Sequence, residues 1–186
     1  WVQTLRRSDR IETCAITELG FVRIAALARL SPDLAAAREL LVRLSHSHIR
    51  FGTFQRLAFL EERANMGVLV EHVIENYYPQ FSGLDGEAKA AELFGAIVEA
   101  NARLAASWMA AGFVHGVLNT DNLNVTGESF DYGPWRFLPA SDPNFTAAYF
   151  DETGLYSFGR QPEAVAWALS QLGGALTLLC TAGKLE

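Results

Sequence analysis

The sequence predicts an α+β chain that is mainly α, and three observations carry that prediction. Glu87 to Ala111 repeats apolar residues at helical spacing, with Leu93, Ile97, Leu104 and Trp108 on one stripe, and Gly112 follows as a stop. Shorter segments before and after it show the same period. Between Phe113 and Pro134 the period is lost: short apolar pieces, Phe113-Val114 and Leu123 to Val125, are broken by Gly, Asn and Asp. Irregular polar chain after a long helix is where functional residues concentrate.

In chain order, Ser31-Pro32-Asp33 opens a first helix. Ser31 can accept an orphan N–H, Pro32 suits the first turn, and Asp33 favours the positive helix end. The helix runs from Leu34 to Leu41, after which Leu41 to Ser45 alternates as a short strand does. Phe54 to Glu61 reads as a short amphipathic helix. Met66 to Tyr78 reads as another, with Leu69, Val73, Ile74 and Tyr77 on one face and Pro79 ending it. Gly83 to Gly86 is a loop before the long helix. Asp142 to Phe158 is rich in aromatics and poor in helix signal, and Pro162 restarts a helix that runs towards Ala182. The aromatics Tyr132, Trp135, Phe137, Tyr149, Phe150, Tyr156 and Phe158 are expected to pack the domain.

The 186 residues are about one domain's length, and 50% of them are hydrophobic, enough for a sizeable core. A net charge of -6 argues against nucleic-acid binding, which needs a basic face. No uninterrupted apolar run reaches the roughly 18 residues of a membrane span, so no membrane partner is expected. Cys14 and Cys180 are isolated, which suggests neither a metal site nor a disulfide framework and fits a reducing, cytoplasmic setting. Cys180 is expected to be buried in the last helix. Residue 1 is Trp, and the chain reads as a piece of something longer.

The chemistry concentrates in HGVLNTDNLNVTGESFDYGP, His115 to Pro134. Protein kinases carry a catalytic loop H-R-D-L-x-x-x-N followed by D-F-G. His115 stands seven residues before Asn122, as in that loop, and Asp131-Tyr132-Gly133 follows as the metal-binding triplet. An amide oxygen and a carboxylate are hard ligands suited to Mg²⁺, which bridges nucleotide phosphates. Val117 occupies the place of the kinase's catalytic Asp and can take no proton. Asp121, beside Asn122, is the only carboxylate inside the loop and so the candidate base. His115 is expected to hold the loop backbone. The His46/His48 pair lacks a third ligand nearby and is not expected to bind zinc.

The blocks HGVLNTDN, FDYGP and GLYSFGRQP resemble the selenoprotein O family, and LVRLSHSHIRFGTFQ resembles the segment before that family's long helices. The resemblance runs from about Leu41 to about Leu172. It implies a protein-kinase-like fold that transfers AMP from ATP to Ser, Thr or Tyr hydroxyls of proteins. In that reading Asp121 is the proton acceptor, and Asn122 and Asp131 are ligands of Mg²⁺ (or Mn²⁺). Asp131, Arg43 and Arg50 contact the nucleotide. Guanidinium forks suit phosphate oxygens whatever the family.

Other parts of a kinase-like nucleotide site do not appear in the sequence. It shows no G-x-G-x-x-G, and its two lysines, Lys89 and Lys184, sit where no strand lysine would. Glu18 and Glu39 are the options for that lysine's helix partner. The expected organisation is a divergent or truncated segment over 1–40 and the helical C-terminal lobe over 41–186, with weak or no activity alone. The alternatives are a phosphotransferase using Asp121 as base and a non-catalytic nucleotide-binding or interaction module.

Overall fold

A computed structural model describes residues 45–129 and 134–180. The helix opened at Ser31, the strand after Leu41, Arg43, Glu18, Glu39, Cys14 and the triplet Asp131 to Gly133 lie outside those residues. The chain divides into two compact units, Trp1–Ser45 and His46–Glu186, and the second carries the fold that follows.

That unit is predominantly helical. Helix α1 spans Phe51–Phe59, α2 Arg63–Tyr77, α3 Gly86–Ala111 and α4 Gln161–Cys180, with 3-10 turns at Pro79–Phe81 and Phe158–Arg160. Two short strands, β1 (Phe113–Val114) and β2 (Arg136–Phe137), pair antiparallel, Phe113 with Phe137 and Val114 with Arg136. The long α3 ends as the sequence predicts, on Gly112 at φ 64°, a left-handed conformation that costs glycine nothing. Pro79 likewise ends α2.

The core forms where α4 packs along α3 and α1, with α2 beside them. Each helix contributes one face: Phe51 and Phe54 from α1; Met66, Val70, Val73 and Ile74 from α2; Leu93, Ile97, Ala105 and Trp108 from α3; Ala168 and Leu172 from α4. Two faces differ from the expected ones. In α2 the buried line runs through Met66 and Val70, leaving Leu69 and Tyr77 half-buried. In α3 Ala105 takes the buried place expected of Leu104. Both are rotations by one residue, within reach of a 3.6-residue period. A tilted cluster of Trp108, Phe113, His115, Trp135 and Phe137 joins the end of α3 to the strand pair. Tyr149 (92% exposed) and Phe150 (55%) face solvent and pack against each other, contrary to their expected place in the core.

Phe158–Cys180 is, by length and composition alone, apolar enough to cross a membrane, which the sequence reading had not allowed. That reading required an unbroken apolar run, whereas mean hydropathy tolerates Ser170, Gln171 and Thr177. One face of α4 is nevertheless the buried core face of the bundle, as in an ordinary core helix. Cys180, at its end, is half-buried and free.

Candidate functional site

The segment from His115 to Ser129 is held at both ends. At its start, Gln161 at the head of α4 is fully buried. It accepts the His115 N–H at 2.9 Å and donates to the Phe113 carbonyl at 2.8 Å, pinning β1 to α4. Beyond the loop, Leu138 N–H donates to the Gly112 carbonyl at 2.8 Å, closing the base with the β1–β2 pair.

Inside, the imidazole of His115 is fully buried. Ser129 Oγ lies 2.6 Å from the Asn122 carbonyl, which can only accept, so the hydroxyl proton points there. The 2.7 Å contact between Ser129 Oγ and His115 Nε2 therefore has Nε2 as donor, and Nδ1 accepts the Val117 N–H at 3.3 Å. A neutral imidazole in one tautomer thus spans the loop and fixes the backbone at Asn122. This is the holding role expected of His115.

Asn119 and Asn124 turn the chain. Asn119 Oδ1 accepts the Asp121 N–H at 2.8 Å. Asn124 Oδ1 accepts the N–H groups of Thr126 and Glu128, while its amide donates to the Ser47 carbonyl at 2.7 Å. Asn101, buried on α3, donates to the Asn124 carbonyl at 3.2 Å. Tyr78 donates its hydroxyl to the Val125 carbonyl at 2.6 Å, and burial pushes its phenol pKa up, so it stays a donor.

The loop is then laced to the start of α1. Phe51 N–H donates to the Leu123 carbonyl and Gly52 N–H to the Thr120 carbonyl, both at 3.1 Å. Thr120 Oγ1 donates to Gln55 Oε1 at 2.5 Å, and Arg50 forms an antiparallel bridge with Asn124. These contacts leave Asp121 as the one exposed residue between Leu118 and Val125, with Asn122 buried beside it. Its carboxylate lies over the first turn of α1: a Cβ built on Gly52 would stand 1.9 Å from Asp121 Oδ1. Arg50 occupies the N-cap position of the same helix. Of the five predicted site residues, Arg50, Asp121 and Asn122 therefore come together at one helix end. Arg43 and Asp131 lie outside the described residues, so the expected convergence of Asn122 with Asp131 does too.

The histidine pair binds differently. His46 N–H and Nδ1 meet Glu128 at 3.0 and 3.2 Å. Burial alone would raise the Glu128 pKa; hydrogen bonds from Thr126 and His46, with the His46 charge, outweigh it and hold the carboxyl below its usual range. No cluster of three His, Cys, Asp or Glu side chains able to hold a metal occurs among the described residues. Lys89 pairs with Glu71 at 2.7 Å, linking α3 to α2. Sequence reasoning missed Gln161, Asn124 and Gln55, whose partners lie 46, 77 and 65 residues away. No local pattern signals such pairings.

Residues 11–186 match the family described as "Protein adenylyltransferase SelO". The chain belongs to the SelO family. It is 51% identical over 140 residues to "Protein nucleotidyltransferase YdiU" of Synechocystis sp., covering 75% of this chain and 29% of that protein. It is 40% identical over 190 residues to the protein of the same name from Vibrio cholerae, covering 98% and 38%. With the Myxococcus xanthus protein it shares 42% over 183 residues, 94% and 37% of the two chains. The chain thus spans roughly a third of the length of these SelO-family relatives.

Proposed function

We propose that this chain supplies the proton-accepting and metal-binding loop of a protein adenylyltransferase, which moves AMP from ATP to hydroxyl side chains of proteins. The observation that carries the reading is the placing of Asp121: exposed between the buried Thr120 and Asn122, at the helix end that carries Arg50. Family membership supports the direction of transfer, and the relatives' names support nucleotidyl transfer. In this reading residues 41–186 form the helical lobe of a kinase-like fold, and the segment before it, 1–40, already joins the family match from residue 11.

The donor set fits the metal. Asn122 offers an amide oxygen and, in the sequence, Asp131 a carboxylate. Mg²⁺ prefers such oxygens, keeps several waters, and needs only one or two protein ligands, so a pair suffices. When bound, the ion would neutralise charge on the transferring phosphate. The chain's own residues do the rest. Asp121 takes the proton of the acceptor hydroxyl as its oxygen bonds to the α-phosphorus, and pyrophosphate leaves with the electrons of the broken bond. Arg50, with Arg43 and Asp131, orients the nucleotide; a guanidinium stays charged and meets phosphate oxygens in pairs. The His115–Ser129–Asn122 chain keeps the loop backbone from shifting as charge develops. Val117 is half-buried and apolar, which leaves Asp121 as the only carboxylate between His115 and Asn122 that can act as base.

Asp121→Ala tests this in the full-length protein. The rate of AMP transfer is expected to fall about 10²–10⁴-fold, the usual size of a general-base contribution. A near-normal rate would reduce Asp121 to a loop residue and remove the proposal's chemical basis.

A further inference from the structure

We propose that Gly52 is a positioning residue for Asp121: the missing side chain at this helix position makes the space in which the carboxylate sits. The inference rests on the proton-acceptor reading above and deepens it. Gly52 is the second residue of α1, where alanine is the better helix former. Its φ is not left-handed, so backbone freedom does not explain a glycine there. Packing does. A Cβ built on Gly52 would lie 1.9 Å from Asp121 Oδ1, 2.9 Å from Cγ and 3.6 Å from Oδ2, far inside contact distance for the first two.

The surrounding bonds determine what would yield. Gly52 N–H is tied to the Thr120 carbonyl and Phe51 N–H to the Leu123 carbonyl. Thr120 is further held by Gln55, and Asp121 N–H by Asn119 Oδ1. The backbone on both sides of the contact is therefore fixed. The Asp121 side chain is exposed and its carboxylate is the one free-turning group in the contact. An added methyl group would turn the carboxylate away and leave the helix and loop in place. Fold and chemistry then respond separately to the same substitution.

The test compares Gly52→Ala, Asp121→Ala and the double variant in the full-length protein, by AMP transfer from ATP and by thermal unfolding. Gly52→Ala is expected to lower kcat about 10²-fold, the scale of an ångström-sized misplacement of a reacting group. KM for ATP should stay unchanged and the melting temperature should hold or rise. The double variant should be no slower than Asp121→Ala, because a displaced base and an absent one do not add. Normal kcat in Gly52→Ala, with Asp121→Ala slow, would overturn the positioning role and leave Asp121 as proton acceptor. A normal rate in Asp121→Ala would overturn the reading beneath both. Loss of kcat in Gly52→Ala accompanied by a lower melting temperature and a raised KM would also overturn it, since the glycine would then serve the fold.

Discussion

Ser129 makes two hydrogen bonds with one buried oxygen, to His115 Nε2 and to the Asn122 carbonyl. Ser129→Ala removes both from a site without access to water. A loss of about 1–3 kcal/mol is expected, readable as a lower denaturant midpoint with unchanged slope. Glu128 makes a pH-dependent contribution instead. Its folded pKa is depressed, so the stability it adds is present above the ordinary carboxyl range and is lost as pH falls through the lower folded value. Glu128→Gln should therefore flatten the acid limb of the stability profile below about pH 4.5, the unfolded value. An unchanged profile would mean that the His46 and Thr126 bonds add nothing. Single residues divide sharply in how far sequence alone revealed them. Asp121 and Asn122 stood out because carboxylate and amide fall at a spacing that already implies chemistry. Gly52 carries no signal until Asp121 is seen beside it, 69 positions along the chain.

The elements show a similar division. α3 was legible to within one residue because its apolar stripe repeats over 26 residues and Gly112 marks its end. α1 begins at Phe51, three residues before its sequence signal, and has no side-chain cap. Its first N–H groups are taken by the carbonyls of Leu123 and Thr120, so the loop after β1 caps the helix, and local sequence cannot announce a cap from another segment. The loop's turn at Gly127 presses on α3 in the same non-local way: φ is 73°, and an added Cβ would meet the Ala100 carbonyl oxygen at 2.7 Å. None of the three Ala100 atoms it would meet is the end of a flexible side chain. Gly127→Ala should cost at least about 1–2 kcal/mol from the left-handed strain alone, with the backbone clash added. Thermal unfolding measures it, and a cost near zero would show that the turn is free to move off α3.

At the scale of the whole molecule, the helical bundle brings the loop bearing Asp121 and Asn122 to the end of α1 that carries Arg50, while the chain spans about a third of its relatives' length. The 186-residue chain shows no glycine-rich loop or strand lysine in its sequence, so by itself it should bind ATP weakly, with Arg43 and Arg50 supplying what affinity there is. Calorimetric titration with ATP and Mg²⁺ checks this, and tight binding would mean that the chain completes its own nucleotide site. The central claim is that this loop serves transfer of AMP and not of phosphate. Both reactions make the same electrostatic demands on metal and arginines, so only the fate of the phosphorus separates them. The full-length protein with Mg²⁺ and ATP labelled at either the α- or the γ-phosphate should acquire label from the α position alone, and lose it in Asp131→Ala. Label acquired from the γ position alone would contradict the account and make the loop that of a kinase.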